Sequence, residues 1–214
     1  FAQTSPTRHT MLFSATMPGP VVTLARRFMN RPIHIRATDP DEGQIQANIK
    51  HVIYRAHSLD KDEVIARILQ AEGRGKSVIF TRTKRGADRV ARHLEQAGLA
   101  SAAIHGNKSQ NQRTKALDSF KARKLTVLVA TDIAARGIDI DQVSHVVNFE
   151  LPNVPESYVH RIGRTARAGE SGTAITLCDG EERKLLRDIE KLIGAKIPTE
   201  GHVPDAPSGP DNGG

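Results

Sequence analysis

Apolar residues in this chain fall into short runs, unbroken or nearly so, separated by stretches where they recur every three or four positions. The runs lie at 78–80, 102–104, 127–130, 146–149 and 174–177. Strands with no polar alternate face are expected where both faces of a sheet are covered. Between them, Val64, Ile65, Ile68 and Leu69 make one helical stripe, and Ala87, Val90, Ala91 and Leu94 a second. Leu117 and Phe120 mark a third helix, with Ser109 placed to cap its start. Leu185, Leu186, Ile189, Leu192 and Ile193 mark the last, and Gly98 suits the end of the second. Residues 49–56 add an edge strand at the beginning. This alternation predicts an α/β fold, a parallel sheet with crossover helices on both faces.

Two polar stretches divide the chain. Residues 38–43 (Thr-Asp-Pro-Asp-Glu-Gly) read as a linker. Residues 201–214 are Gly, Pro and polar side chains with almost nothing to bury, a composition that predicts disorder. Ahead of the linker come a strand-like run at 11–15, an amphipathic helix around 21–29 and a short strand at 33–35. With Phe1 first and no signal-peptide pattern, the chain is expected to be part of something longer. No run of eighteen apolar residues offers a membrane span.

Thirty-one Lys and Arg against twenty-four Asp and Glu give a net charge of +7, which favours a polyanionic partner. Trp is absent and Tyr occurs twice, which argues against a reader that stacks bases on aromatic rings. Contacts to nucleic acid are then expected at phosphate and sugar. The single cysteine, Cys178, sits in an apolar run and excludes an internal disulfide; a cytoplasmic location is expected. The scattered histidines form no metal-binding pattern.

The segment Gly73-Arg74-Gly75-Lys76-Ser77 ends like a phosphate-binding loop but lacks its first glycine, that position being Gln70. It also leaves a helix and enters a strand, the reverse of what aims free N–H groups at phosphates. It reads as a turn.

Arg161, Arg164 and Arg167 recur every three residues in Tyr158-Val159-His160-Arg161-Ile162-Gly163-Arg164-Thr165-Ala166-Arg167-Ala168-Gly169. On a helical or near-helical segment they would point to similar sides, and three guanidinium forks on one face suit a triphosphate. The whole segment resembles motif VI of DEAD-box helicases, in which Gly usually stands at the position of Ala166. Ala130-Thr131-Asp132-Ile133-Ala134-Ala135-Arg136-Gly137-Ile138-Asp139 resembles motif V, and 78–84 resembles motif IV. Gln110-Asn111-Gln112-Arg113 is similar to the QxxR element, and Ser14-Ala15-Thr16 to motif III. All five stand in the family's order, from Ser14 to Gly169. The runs at 80–84 and 105–110 are most similar to the bacterial RhlE-type subfamily, although many relatives have an acid at the position of Asn107.

The resemblance implies a RecA-like parallel sheet for residues 47–197, the helicase C-terminal domain. Residues 1–38 would be the end of the N-terminal RecA-like domain, 39–46 the interdomain linker and 198–214 a disordered tail. It implies an RNA-stimulated ATPase that remodels RNA, with ATP and Mg²⁺ held between two RecA-like domains. The phosphate loop and the Mg²⁺-holding acids would belong to the N-terminal domain. Arg164 and Arg167 match the arginine fingers that reach the γ-phosphate. Asp139 matches an acid near the ribose; capping a turn is its other reading. His160, Arg161, Ser14 and Thr16 match residues that couple nucleotide state to RNA grip, and the last two read equally as strand-end hydrogen-bonders. Thr83, Arg113 and Thr131 match positions that hold the RNA backbone. Gly106 either lets the main chain approach closely or is a plain turn glycine, and Arg113 alone reads also as a solvated helix residue.

Two other classes fit parts of this pattern. A RecQ-type DNA helicase normally has Gln where His160 stands. A free-standing RNA-binding module has no γ-phosphate for Arg164 and Arg167 to reach.

Overall fold

A computed structural model describes residues 5, 7–14, 17, 19–35, 47–71, 75–136, 138, 140, 143–167 and 169–200. The chain forms two compact units, 1–39 and 40–214. In the first, helix α1 (Gly19–Phe28) buries Ala25. Residues 11–14 and 33–35 are not strands, contrary to their apolar pattern. An isolated strand leaves its backbone donors and acceptors unpaired, and the described residues of this unit offer no neighbour. Phe13 and Ile33 are each 86% exposed.

Among its described residues, the second unit is built on seven strands: β1 (Ile49–Arg55), β2 (Ser77–Thr81), β3 (Ser101–Ile104), β4 (Val127–Thr131), β5 (His145–Asn148), β6 (Gly172–Cys178) and β7 (Thr199–Glu200). Their order is β3-β4-β2-β5-β6-β1-β7, and every pairing is parallel. The α/β fold is therefore as the sequence pattern requires. One expectation is corrected: β1 is not an edge strand. It lies between β6 and the two-residue β7, and the Ile53 N–H donates to the Pro198 carbonyl at 2.9 Å. The strand-forming residues 199–200 fall within 198–214, the span that the resemblance implies is a disordered tail.

Helices α2 (Lys61–Ala71), α3 (Lys84–Gln96), α4 (Gln110–Lys121), α5 (Asp132–Ala135), α6 (Pro155–Ile162) and α7 (Arg183–Ile193) cover the sheet. Alternate residues of each strand enter opposite cores. Val78, Phe80, Leu128 and Ala130 join Phe120, Tyr158, Ile162 and Ile189 on one face. Ile79, Val127, Val129 and Val147 join Val64, Ile65, Val90 and Leu94 on the other. Truncating a side chain such as Phe80, 2% exposed, would cost about 3–5 kcal/mol.

The predicted caps are in place. Ser109 and Gln112 form a reciprocal capping box at α4. After α3, Gly98 takes φ 83°, a left-handed turn that a side chain would strain, and Leu99 N–H bonds back to Leu94. Of the five apolar residues expected to pack on α7, only Ile189 is fully buried, and Leu192 is 46% exposed.

Candidate site at the carboxyl edge of the sheet

Because all strands run the same way, the loops that follow them gather at one edge, where open α/β sheets bind ligands. The turn at 75–77 is at the opposite edge, and a side chain at Gly75 would collide with Ser144, at 2.2 Å from its Oγ. Lys76 donates to the Lys121 carbonyl and lies 5.3 Å from the Phe120 ring centre.

On one flank, α6 opens with Pro155, whose missing N–H costs nothing in a first turn. Its last turn carries His160, which is exposed, and Arg161, which is 1% exposed. Arg161 donates from Nε and Nη2 to the two oxygens of Asp132, at 2.7 and 2.8 Å. Its Nη1 donates to Asn148 Oδ1 at 3.1 Å and to the Glu150 carbonyl at 2.7 Å. The guanidinium lies 5.2 Å from the Phe80 ring centre. A buried guanidinium is tolerable only with such partners.

The three arginines do not share one helical face. The helix ends at Ile162, and the chain then turns, with Ala166 buried in the left-handed region at φ 54°. That conformation favours glycine, the residue that the motif VI resemblance leads one to expect at this position. Arg164 and Arg167 are half-buried. Arg164 Nη1 donates to the Ile138 carbonyl at 3.3 Å, and Arg167 Nε to that of Gly163 at 2.6 Å. Main-chain acceptors thus help to orient both guanidinium groups. A small pocket of about 30 Å³ brings His160, Arg161 and Arg164 together with Asp132 and Phe80.

On the other flank, Thr83 caps α3, its Oγ1 accepting the Gly86 N–H at 3.0 Å. Thr131 ends β4 and starts α5, with no capping bond from its side chain. Arg113, on α4, donates from Nη2 to the Ala134 carbonyl on α5 at 3.5 Å. Gly106 follows β3, and a Cβ there would come no nearer than 3.5 Å, to Lys84 Cε, so the fold itself does not demand glycine.

Beside Gly106, Lys84 donates to Asn107 Oδ1 at 2.7 Å. His105, 3% exposed, bonds through Nε2 to Asp88 at 2.8 Å, while its Nδ1 accepts the Asn107 N–H. That acceptor role puts the ring proton on Nε2. Burial tends to raise the Asp88 carboxyl, but hydrogen bonds from His105 and Lys108 outweigh it and hold it below its ordinary value.

Ser14 is exposed in the first unit; Thr16, Asp139 and the linker 39–46 lie outside the described residues. The sequence reading missed Asp132, Asn148 and Glu150 as partners of Arg161 and His105–Asp88 as a loop anchor. A buried arginine calls for an acid, and Asp132 stood within a quoted motif; nothing local marked Asn148 or Glu150. A roomier groove of about 370 Å³, lined by Lys50, His51, Ile193 and Ile197, holds none of the expected site residues. Burial pushes the Cys178 thiol up to about 11, so it stays protonated near neutrality. No described helix is long and apolar enough to cross a membrane.

A seven-stranded parallel sheet covered on both faces, with its polar loops at the carboxyl edge, matches the RecA-like domain that the motif resemblance implies. The family model described as the helicase conserved C-terminal domain matches residues 60–169. The chain belongs to the DEAD-box RNA helicases and carries their C-terminal RecA-like domain. It is 42% identical over 193 residues to the DEAD-box ATP-dependent RNA helicase CshA of Bacillus subtilis, covering 90% of this chain and 39% of the relative. The chain thus spans about two fifths of that protein's length.

Among solved structures it is similar to E. coli DEAD-box protein SrmB bound to regulator of ribonuclease activity A. That match has a TM-score of 0.69 and 35% identity, over 75% of this chain and 97% of the other. S. cerevisiae Dbp5 bound to RNA and ADP BeF3 matches with a TM-score of 0.72 and 30% identity, over 87% of this chain and 50% of the other.

Proposed function

We propose that this chain is the C-terminal part of an ATP-dependent RNA helicase, in which ATP hydrolysis drives local separation of RNA strands. The observation that carries this reading is a segment after α6 that holds two half-buried arginines on main-chain acceptors, in one domain with hydroxyl and cationic side chains on the loops that follow β2, β3 and β4. Arg164 and Arg167 supply the first group, as arginine fingers on the γ-phosphate. Thr83, Arg113, Thr131 and the main chain at Gly106 supply the second, a track for the RNA backbone. Phosphoryl transfer passes through a loose, charge-dispersed transition state, for which such a finger is worth about 10³–10⁵ in rate. The structure of Dbp5 with RNA and ADP BeF3 supports a site of this class.

In this reading His160, Arg161, Ser14 and Thr16 couple the nucleotide to the RNA, and Asp139 lies by the ribose. Residues 1–38 end the N-terminal RecA-like domain, 39–46 link the two domains, 47–197 together with β7 form the C-terminal domain, and the residues after β7 are a tail. ATP brings Mg²⁺, which the N-terminal domain holds. RNA is read by its backbone, without sequence preference, in the cytoplasm. The RhlE-type assignment rests on residues 80–84 and 105–110; the relatives described above carry the name CshA.

The test compares two proteins. The full-length protein should hydrolyse ATP at a rate that rises with single-stranded RNA. Residues 1–214 alone should show no turnover above a buffer blank. Turnover by the fragment near about 1 s⁻¹, or a full-length enzyme indifferent to RNA, would overturn the reading.

A further inference from the structure

The arginine side and the RNA side of the edge meet on Glu150, which belongs to neither set of motifs. Its carboxylate Oε2 accepts the main-chain N–H of Arg82 at 2.7 Å, one residue before Thr83. Its own carbonyl accepts Nη1 of Arg161 at 2.7 Å. The next residue, Leu151, donates its N–H to Glu182, which is buried and paired with Lys61 at 2.5 Å. The 150–151 segment is thereby fixed on both sides, while its one projecting carboxylate grips the loop that carries Thr83.

A plainer account would have Glu150 merely neutralise the Arg82 side chain. The distances decide against it. That ion pair spans 3.6 Å between side chains 35% and 24% exposed, a geometry worth little in water. The bond to the main chain is far shorter and charge-assisted.

We propose that Glu150 is a positioning residue: it ties the Arg82–Thr83 loop to the Arg161 anchorage and so sets the place of the Thr83 hydroxyl on the RNA track. The inference rests on the reading of Thr83 as an RNA contact. Movement of α6 that shifts Arg161 would pass through the Glu150 backbone to its side chain, and from there to the loop.

The experiment uses the full-length enzyme and measures ATP turnover against RNA concentration. Glu150→Ala should raise the RNA needed for half-maximal stimulation by about tenfold, the worth of one charge-assisted bond, while KM for ATP moves far less. Glu150→Gln keeps an acceptor and should recover most of the loss. Arg82→Ala keeps the N–H and should shift RNA dependence by less than about threefold.

In a Thr83→Ala background, Glu150→Ala should add less than about twofold, since both act through one contact. Unchanged RNA dependence in Glu150→Ala, full additivity with Thr83→Ala, or an Arg82→Ala loss as large as that of Glu150→Ala would each overturn the tie. If Glu150→Ala does not fold, Glu150→Asp takes its place. It withdraws the carboxylate by one methylene, and a raised RNA requirement supports the tie where an unchanged one overturns it. A wild-type enzyme with no response to RNA removes the functional reading and the tie together, an outcome distinct from the others.

Discussion

Arg161 grips both carboxylate oxygens of Asp132, residues 29 positions apart in the chain, at 2.7 and 2.8 Å. The pair joins the last turn of α6 to the first residue of α5, and so joins the arginine segment to the strand end that bears Thr131. With Arg161 1% exposed and Asp132 partly in solvent, this arginine serves the architecture of the edge.

Removing that fork should unfold the domain more easily. Arg161→Ala leaves Asp132, Asn148 and the Glu150 carbonyl without their donor and should cost about 2–4 kcal/mol. Arg161→Lys cannot span both oxygens and should lose most of the same amount. Urea denaturation of residues 1–214 measures both, and unchanged midpoints would contradict the structural role.

Arg164 and Arg167 should behave differently. In the full-length enzyme, Arg167→Lys and Arg167→Ala should each lower kcat by at least about a hundredfold if the planar fork acts on the transition state. Nucleotide affinity should change less, since most ground-state contacts to ATP would come from the other domain. Steady-state kinetics decide this. Near-normal kcat in Arg164→Ala and Arg167→Ala alike would leave the segment a structural basic turn.

Arg113 offers a test on RNA. Its Nε is buried and meets no acceptor among the described residues, so the side chain retains donor capacity. Arg113→Ala should weaken binding to unrelated single strands alike and lower the slope of log affinity against log salt by roughly 0.7–1. Fluorescence anisotropy at several salt concentrations reads both. A loss confined to one sequence would signal base recognition instead.

The stability of the domain should fall in acid along a predictable limb. Burial tends to raise Asp179, but the hydrogen bond and charge of Lys61 outweigh it, and its carboxyl lies below its ordinary 3.8. Asp88 is lowered by His105 and Lys108 against the same opposing effect. A carboxyl lowered on folding contributes fully above its unfolded value and loses that contribution as pH falls through the folded one. Urea midpoints should therefore hold down to about pH 5 and drop below 3.8. Asp179→Asn and Asp88→Asn should each make that drop shallower.

Much of this was legible in the chain. Unbroken runs such as 127–130 identified strands covered on both faces, since a parallel sheet leaves neither face to water. Ser109 and Gly98 marked helix ends because few residues meet those local demands. The course of the chain after Ile162 was not legible. A three-residue spacing of arginines reads as helix, yet the left-handed turn at Ala166 depends on packing around it. Asn148 and Glu150 were hidden for another reason: their roles arise from contacts with residues distant in sequence, which no local pattern encodes.

The burial of Cys178 has a practical consequence. Its thiol, 5% exposed and pushed up to about 11, should not react with a maleimide dye at neutral pH. The turn before β4 lies at the edge away from Thr83 and Arg113, and Lys124 there is exposed. Lys124→Cys would therefore give one reactive handle on an otherwise native chain. A fluorophore attached there could report the tumbling or docking of this domain without touching the groups that would meet RNA.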